Sequence, residues 1–303
     1  MSVIEEIGTA VATVASTIGP SIVAIGRNGR GAGVVTADGQ VLTNAHNLRG
    51  GEVTVTFADG RSTRGTVTGV DPDGDLAVVS VDTSGATPVT WGSGDPVAVG
   101  TPVFGAAATF GGGARVTFGL VSSVSRSFRG PGGRRIAGSI EHTAPMAPGS
   151  SGGALVDAAG AFIGLNTNRI GEGFYLALPA DASLRSRVEA LGRGESAARP
   201  RLGVAIAPSH VARRLRRSVG LPDRDGILVR GVEDGSAAAA AGVEAGDLIV
   251  SAGGRAIADA DDLHDALGAL ERPFELAVVR GAEERTLTVS TAEPKPERTP
   301  GDA

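Results

Sequence analysis

Glycine punctuation does most to decide what this chain can become. Its 303 residues include 47 glycines, many of them set between short apolar runs. Glycine suits backbone that must turn with positive φ and is unfavourable inside a helix. The pattern favours many short strands joined by tight turns. Ala37-Asp38-Gly39 separates Gly33-Val34-Val35-Thr36 from Gln40-Val41-Leu42-Thr43. Ala58-Asp59-Gly60 separates the alternating run Val53–Phe57 from Thr66–Val70, and Asp157-Ala158-Ala159-Gly160 separates Ala154–Val156 from Ala161–Leu165. Each reads as an antiparallel hairpin. No strand–helix alternation occurs before residue 180, so antiparallel β-barrels are expected rather than a doubly wound sheet.

At about 100–200 residues per domain, the length predicts two domains. Residues 1–18 read as an N-terminal helix, helical from residue 3 and ended by Gly19-Pro20. Residues 19–191 form the mainly β first domain, closing on a helix from 181. Residues 192–198 read as a linker and 199–292 as a mixed α+β domain. Its last helix, about 260–270, places Leu263, Leu267 and Leu270 on one face. Residues 293–303, with Pro294, Pro296 and Pro300, read as a disordered tail.

Charge and cysteine content remove several function classes. The net charge of -5 argues against a nucleic-acid partner held by phosphate contacts, which needs a basic face. The run Arg213, Arg214, Arg216 and Arg217 reads as a solvated helix face. The absence of cysteine excludes disulfides, thiol nucleophiles and thiolate metal sites. No metal, nucleotide or other cofactor is expected. Glu5 and Glu6 give the start the wrong sign for a secretory leader. Gly8, Gly19 and Pro20, with intervening Ser and Thr, break the only apolar stretch near it. At face value the chain is expected to be cytoplasmic, with export left open.

The chemistry concentrates at Pro148-Gly149-Ser150-Ser151-Gly152-Gly153. A serine hydroxyl needs a base within hydrogen-bond reach and N–H donors aimed at the oxyanion. Flanking glycines would let the Gly149 and Ser151 N–H groups point into one pocket; a plain Gly/Ser turn reads the same. The segment also fits the nucleophile elbow of α/β-hydrolases, but that requires strand–turn–helix and a downstream histidine. Here a hairpin follows, and His210 and His264 lie in the second domain. The base is then upstream: His46, just after a strand in Thr43-Asn44-Ala45-His46, or His142, which reads rather as a partly exposed strand residue. Asp75 opens the apolar strand Leu76-Ala77-Val78-Val79, while Asp71 and Asp73 read as turn formers. The order His46…Asp75…Ser151 is that of chymotrypsin.

The residues quoted, with Gly31-Ala32-Gly33, Thr117-Phe118-Gly119-Leu120, Thr109-Phe110-Gly111 and Ile163-Gly164-Leu165-Asn166-Thr167, resemble the HtrA/Deg family of serine proteases. Leu202-Gly203-Val204, Gly226-Ile227-Leu228-Val229, Ala241-Gly242-Val243 and Ala245-Gly246-Asp247-Leu248-Ile249 are similar to that family's PDZ domain. The resemblance implies a chymotrypsin-like double antiparallel β-barrel followed by one PDZ domain. It implies His46 as general base, Asp75 as its orienter, Ser151 as nucleophile, and Gly149 and Ser151 as oxyanion-hole donors. Asn166, Thr167 and Asn168 would pair with substrate backbone as an added strand. Position in the chain puts Pro145 and Met146 at the base of the S1 pocket, with no acid there to select Lys or Arg. The N–H groups of Leu202, Gly203 and Val204 would hold a terminal carboxylate, with Leu263 and Leu267 beside the groove or in the core. Substrates would be unfolded or misfolded proteins, and family members commonly assemble as homotrimers. A non-catalytic chaperone or scaffold acting through the PDZ domain is the alternative of a different class. The chain departs from the family at Ser150, where Asn is usual, at Ala154 in place of Pro, at Asn47 in place of an aliphatic residue, and at His142-Thr143-Ala144 in place of Thr-Asp-Ala.

Overall fold

A computed structural model describes residues 2–27, 29–109, 111–130, 135–195, 202–207, 209–270 and 273–290. The expected tail 293–303 and linker residues 196–198 lie outside them. The chain divides into two compact units, 1–197 and 198–303.

The first unit opens with helix α1 (Val3–Ile18), started by a reciprocal capping box between Ser2 and Glu5. Six strands follow: β1 (Ile22–Ile25), β2 (Gly31–Ala37), β3 (Gln40–Thr43), β4 (Glu52–Thr56), β5 (Ser62–Asp71) and β6 (Leu76–Ser80). They close into a barrel in the order β1-β2-β3-β6-β5-β4. A second barrel is built from β7 (Pro102–Ala108), β8 (Ala114–Arg129), β9 (Arg135–His142), β10 (Ala154–Val156), β11 (Phe162–Ile170) and β12 (Phe174–Pro179). Its order is β10-β11-β12-β9-β8-β7. Helix α2 (Ala182–Gly192) ends the unit. All three hairpins read from the sequence form antiparallel pairs: β2 with β3, β4 with β5, and β10 with β11.

Each barrel has its own filling: Val23, Val35, Val41 and Val79 in the first, Val103, Ile140, Leu155 and Ala177 in the second. A third cluster joins them. It gathers Ile22, Leu42 and Leu76 from the first barrel, Phe104, Phe162 and Leu165 from the second, Val14 and Ile18 from α1, and Leu184, Val188 and Leu191 from α2. Burying one such side chain contributes about 1.5–3 kcal/mol, so this seam fixes the two barrels against each other. Any site made from both barrels inherits that rigidity.

The second unit contains β13 (Val204–Ala207), α3 (Ser209–Ser218), β14 (Ile227–Val232), α4 (Ala237–Ala240), β15 (Leu248–Ala252), β16 (Arg255–Ala256), α5 (Ala260–Ala269), β17 (Phe274–Arg280) and β18 (Glu283–Val289). The sheet runs β13-β14-β15-β17-β18, with β16 on β15. Fully buried Asp247 ties the turn before β15 to β17, where Arg280 donates from Nε at 2.7 Å and from Nη2 at 2.8 Å. Of the arginine run on α3, Arg216 alone departs from the expected solvated face; Arg214 and Arg217 are exposed and Arg213 is partly exposed. Arg216 is buried with Nε donating to the Pro222 carbonyl at 3.2 Å, while Arg213 and Arg217 pair with Asp225 and Asp223. An apolar helix face needs its neighbours covered, and the long arginine stem supplies that cover.

Candidate active site

His46 sits in a single 3-10 turn, Ala45–Asn47, directly after β3. Asp75 lies one residue before β6, and the two strands are paired, with Thr43 opposite Ala77. The pairing brings the imidazole over the carboxylate. His46 Nδ1 lies 2.9 Å from both Asp75 oxygens, and the His46 backbone N–H donates to Oδ1 at 3.2 Å. Asp75 is 1 % exposed and adopts φ 54°, a left-handed conformation rare outside glycine. Asn44 Nδ2 donates to its carbonyl at 2.9 Å and helps hold that backbone. Of the other two acids, Asp71 is a turn former: its Oδ1 accepts from the N–H groups of Asp73 and Gly74, and Arg187 of α2 pairs with it.

Ser151 comes from the second barrel, in the turn before β10. Its carbonyl accepts from Ala32 N and from Asn47 Nδ2, both at 2.8 Å. Its hydroxyl donates to the Thr167 carbonyl at 2.7 Å. Thr167 also donates from Oγ1 to Asp75 Oδ2 at 2.8 Å. One residue of β11 therefore touches both the carboxylate and the serine. Asn47, the departure from the family noted above, finds its reason here: Nδ2 also donates to Thr43 Oγ1 at 2.9 Å, so the histidine turn is fastened to the serine loop. Gly149 has φ 85°, and a Cβ there would stand 2.7 Å from the Gly29 carbonyl oxygen. No other residue fits.

Beside Ser151 a cleft of about 220 Å³ is lined by Met146 to Ser151, Asn166 to Arg169, Tyr175 and Leu176. No carboxylate lines it. Of the two residues expected at the base of the S1 pocket, Met146 lines this cleft and Pro145 does not. The residue two before Pro148-Gly149 reaches the wall, whereas Pro145 is exposed. Tyr175 and Leu176 were missed, because they reach the cleft only through the pairing of β11 with β12, Asn168 opposite Leu176. Asn166 and Thr167 are buried and Asn168 is exposed.

His142 corrects a second expectation. It is fully buried rather than partly exposed, stacked on Tyr175 with centroids 5.9 Å apart, and its Nε2 lies 2.9 Å from Asn166 Oδ1. Asn166 spends Nδ2 on the Ala154 carbonyl at 2.7 Å, so its Oδ1 is the acceptor and His142 the donor. Burial pushes the His142 pKa down to about 4, against the opposing effect of that bond. The ring stays neutral and stiffens the back of the cleft. Among the described residues no group of three or more His, Asp or Glu could hold a metal ion.

In the second unit, Gly203 has φ 79°, and a Cβ there would meet Ser236 Cβ at 2.2 Å. The carbonyls of Leu202 and Gly203 accept from Ala238 N and Glu233 N at 2.8 and 2.9 Å. Val204 then begins β13, partly buried together with Ile206. Leu263 and Leu267 are 4 % and 6 % exposed, in the core with Leu202, so core packing is their role in this structure. His264 is exposed.

Two domain families match: a trypsin-like peptidase domain over residues 31–165 and a PDZ domain over residues 200–291. A probable periplasmic serine endoprotease, DegP-like, from Halomonas elongata is 30% identical over 86% of this chain and 55% of its own length. The putative serine protease HhoA of Synechocystis is 34% identical over 88% of this chain and 71% of its own. The chain thus spans little more than half the length of the DegP-like relative. Among solved structures, the HtrA-type protease AlgW with decapeptide superposes with a TM-score of 0.71 at 26% identity, covering 94% of this chain and 99% of that one. The periplasmic names overturn the expectation of a cytoplasmic protein, which rested only on a missing basic leader and a missing span. No helix among the described residues is long and apolar enough to cross a membrane. Given the matches in both units, the chain belongs to the HtrA/Deg family of trypsin-like serine proteases that carry a PDZ domain.

Proposed function

We propose that this protein is a serine endopeptidase that cleaves unfolded or misfolded polypeptides outside the cytoplasm, with His46, Asp75 and Ser151 as its triad. The observation that carries the reading is Thr167, which bonds the Asp75 carboxylate with its side chain and the Ser151 hydroxyl with its carbonyl. That carbonyl is the acceptor an incoming strand needs on β11. A substrate N–H that takes it releases the Ser151 hydroxyl to His46 Nε2. Ser151 Oγ then attacks the scissile carbonyl carbon as His46 accepts its proton. The Gly149 and Ser151 N–H groups receive the oxyanion, and collapse of the intermediate expels the amine, which takes the proton from His46. Water repeats the sequence on the acyl-enzyme. Labelling of Ser151 by a fluorophosphonate tests the reading directly: an unlabelled serine would make the protein a non-catalytic scaffold.

Met146, Leu176 and the Tyr175 ring suit an aliphatic side chain in the cleft, and no acid there would neutralise Lys or Arg. Casein digested by the protein should show Val, Leu or Ala before the cut in mass spectrometry. A preference for Arg or Lys there would refute the pocket assignment.

The PDZ domain, residues 199–292 in our division, is proposed to bind apolar C-termini, with Leu202, Gly203 and Val204 donating N–H groups to the carboxylate. Within the first unit, our division sets the protease domain at 19–191, after the helix 1–18. Charge-assisted bonds to several N–H groups are relatively strong, but ordering a peptide offsets much of the gain. A micromolar affinity is expected. In calorimetry on the full chain carrying Ser151→Ala, a peptide ending in Val should bind and its C-terminal amide should lose most of the affinity. Equal binding of acid and amide would rule out the loop as anchor. Assembly as a homotrimer is proposed from the family alone.

A further inference from the structure

Ser151 lies between two strands. On one side β11 contacts it through Thr167, and the Asn166 carbonyl accepts the N–H of the next residue, Gly152, at 2.7 Å. On the other side Ala32 N, at the start of β2, holds the Ser151 carbonyl. The cleft described above opens on the β11 side. A second cleft, of about 350 Å³, opens on the β2 side and shares no lining residue with it. Its wall comes from the β1–β2 turn, the exit of the histidine turn, β4 and β5, and includes Arg27, Arg30, Asn47, Arg49, Glu52 and Arg64.

The charges in this cleft do not cancel. Glu52 is engaged by Arg64, with Nη1 to Oε2 at 3.1 Å. Arg27, Arg30 and Arg49 are exposed and carry no ion pair among the described residues. Three unneutralised guanidinium groups thus stand together on a chain whose net charge is -5. The overall field repels acidic chains, so any attraction is local to this cleft. The cleft is also mechanically tied to the nucleophile. Asn47, one of its lining residues, donates to the Ser151 carbonyl at 2.8 Å, and the Gly29 carbonyl packs against Gly149.

A peptide whose acyl side runs along β11 must leave over the β1–β2 turn. We propose that Arg27, Arg30 and Arg49 form a binding site for acidic side chains on the leaving-group side of the scissile bond. The inference rests on the protease reading above and adds to it a charge preference. Guanidinium groups bind carboxylates through paired N–H donors, which suits Asp and Glu over neutral residues. The groups are solvated, so the preference is modest and screened by salt.

The test uses quenched fluorescent peptides with one acyl-side sequence and Asp, Ala or Lys at the first three positions after the cut. The full chain should show kcat/KM about fivefold higher for the Asp peptide than for the Ala peptide, with the Lys peptide lowest. The preference should shrink at high salt. The triple variant Arg27→Glu, Arg30→Glu, Arg49→Glu should reverse the order, and three single Arg→Ala variants should each weaken it. An anilide substrate with the same acyl side has no residues after the cut and should be hydrolysed equally by wild type and triple variant. Equal kcat/KM for the Asp and Ala peptides, or an acidic preference surviving in the triple variant, would overturn the site. Wild-type protein inert toward both the anilide and a fluorophosphonate would overturn the protease reading, and the subsite with it.

Discussion

Ser151→Ala is expected to lower kcat for casein hydrolysis by about 10⁶-fold, His46→Ala by a similar factor, and the double variant little further. The reason is that the groups act as one unit: a base without the nucleophile has nothing to activate, and the hydroxyl without the base is a poor nucleophile. Neither change threatens the fold. The Ser151 hydroxyl makes one hydrogen bond, to the Thr167 carbonyl, and the His46 ring is partly exposed. The Ser151 carbonyl, which Ala retains, carries the bonds from Ala32 and Asn47 that hold the loop. Thermal unfolding of both variants should stay near that of the wild type. Losses that add across the double variant would show that the two residues act separately.

Residual activity in these variants would come from the oxyanion donors and the cleft, which neither substitution touches. Those parts were only half legible in the sequence. The three hairpins could be read because Asp-Gly or Ala-Gly turns interrupt apolar or alternating runs, a local signal. The order of His46, Asp75 and Ser151 could be read because only two histidines precede the serine and Asp75, unlike Asp71 and Asp73, opens an apolar strand. What escaped reading joins residues far apart in the chain. Thr167 reaches Asp75 across 92 positions, and Asn47 reaches Ser151 across 104. Strand β7 is buried almost throughout, and β8 and β9 left no clean alternation because their ladder shifts register three times and both are partly exposed. His142 looked like a half-exposed strand residue since nothing local announces its stack on Tyr175. The arginine cleft draws on two loops and two strands, and only the fold brings Arg49 beside the basic loop that carries Arg27 and Arg30.

Asp75→Asn should lower kcat by about 10⁴-fold while leaving KM and the unfolding temperature nearly unchanged. Three donors converge on this carboxylate: the His46 N–H, His46 Nδ1–H and Thr167 Oγ1–H. A carboxylate has acceptor capacity for all three; an amide has one acceptor oxygen and an NH2 group that donates. The backbone N–H of His46 cannot rotate, so it claims the oxygen. The NH2 group then stands where Asp75 Oδ2 stood, 2.9 Å from Nδ1. It favours the tautomer with Nδ1 bare and the proton on Nε2, where the imidazole can no longer accept from Ser151. The Thr167 hydroxyl can turn to accept from the amide, so packing survives. Asp75 also holds a left-handed backbone, φ 54°, whose cost of order 1–3 kcal/mol is carried by the surrounding bonds. Asparagine tolerates that conformation better than most residues, which is why the amide rather than alanine is the informative change. Fluorophosphonate labelling should slow in step with kcat, because both need the same proton acceptor. A Thr167→Val variant, which removes one of the three donors to the Asp75 carboxylate, should lose far less, and Thr167→Ser should recover it. Asp75→Asn within tenfold of wild type would mean that this carboxylate does not set the histidine tautomer.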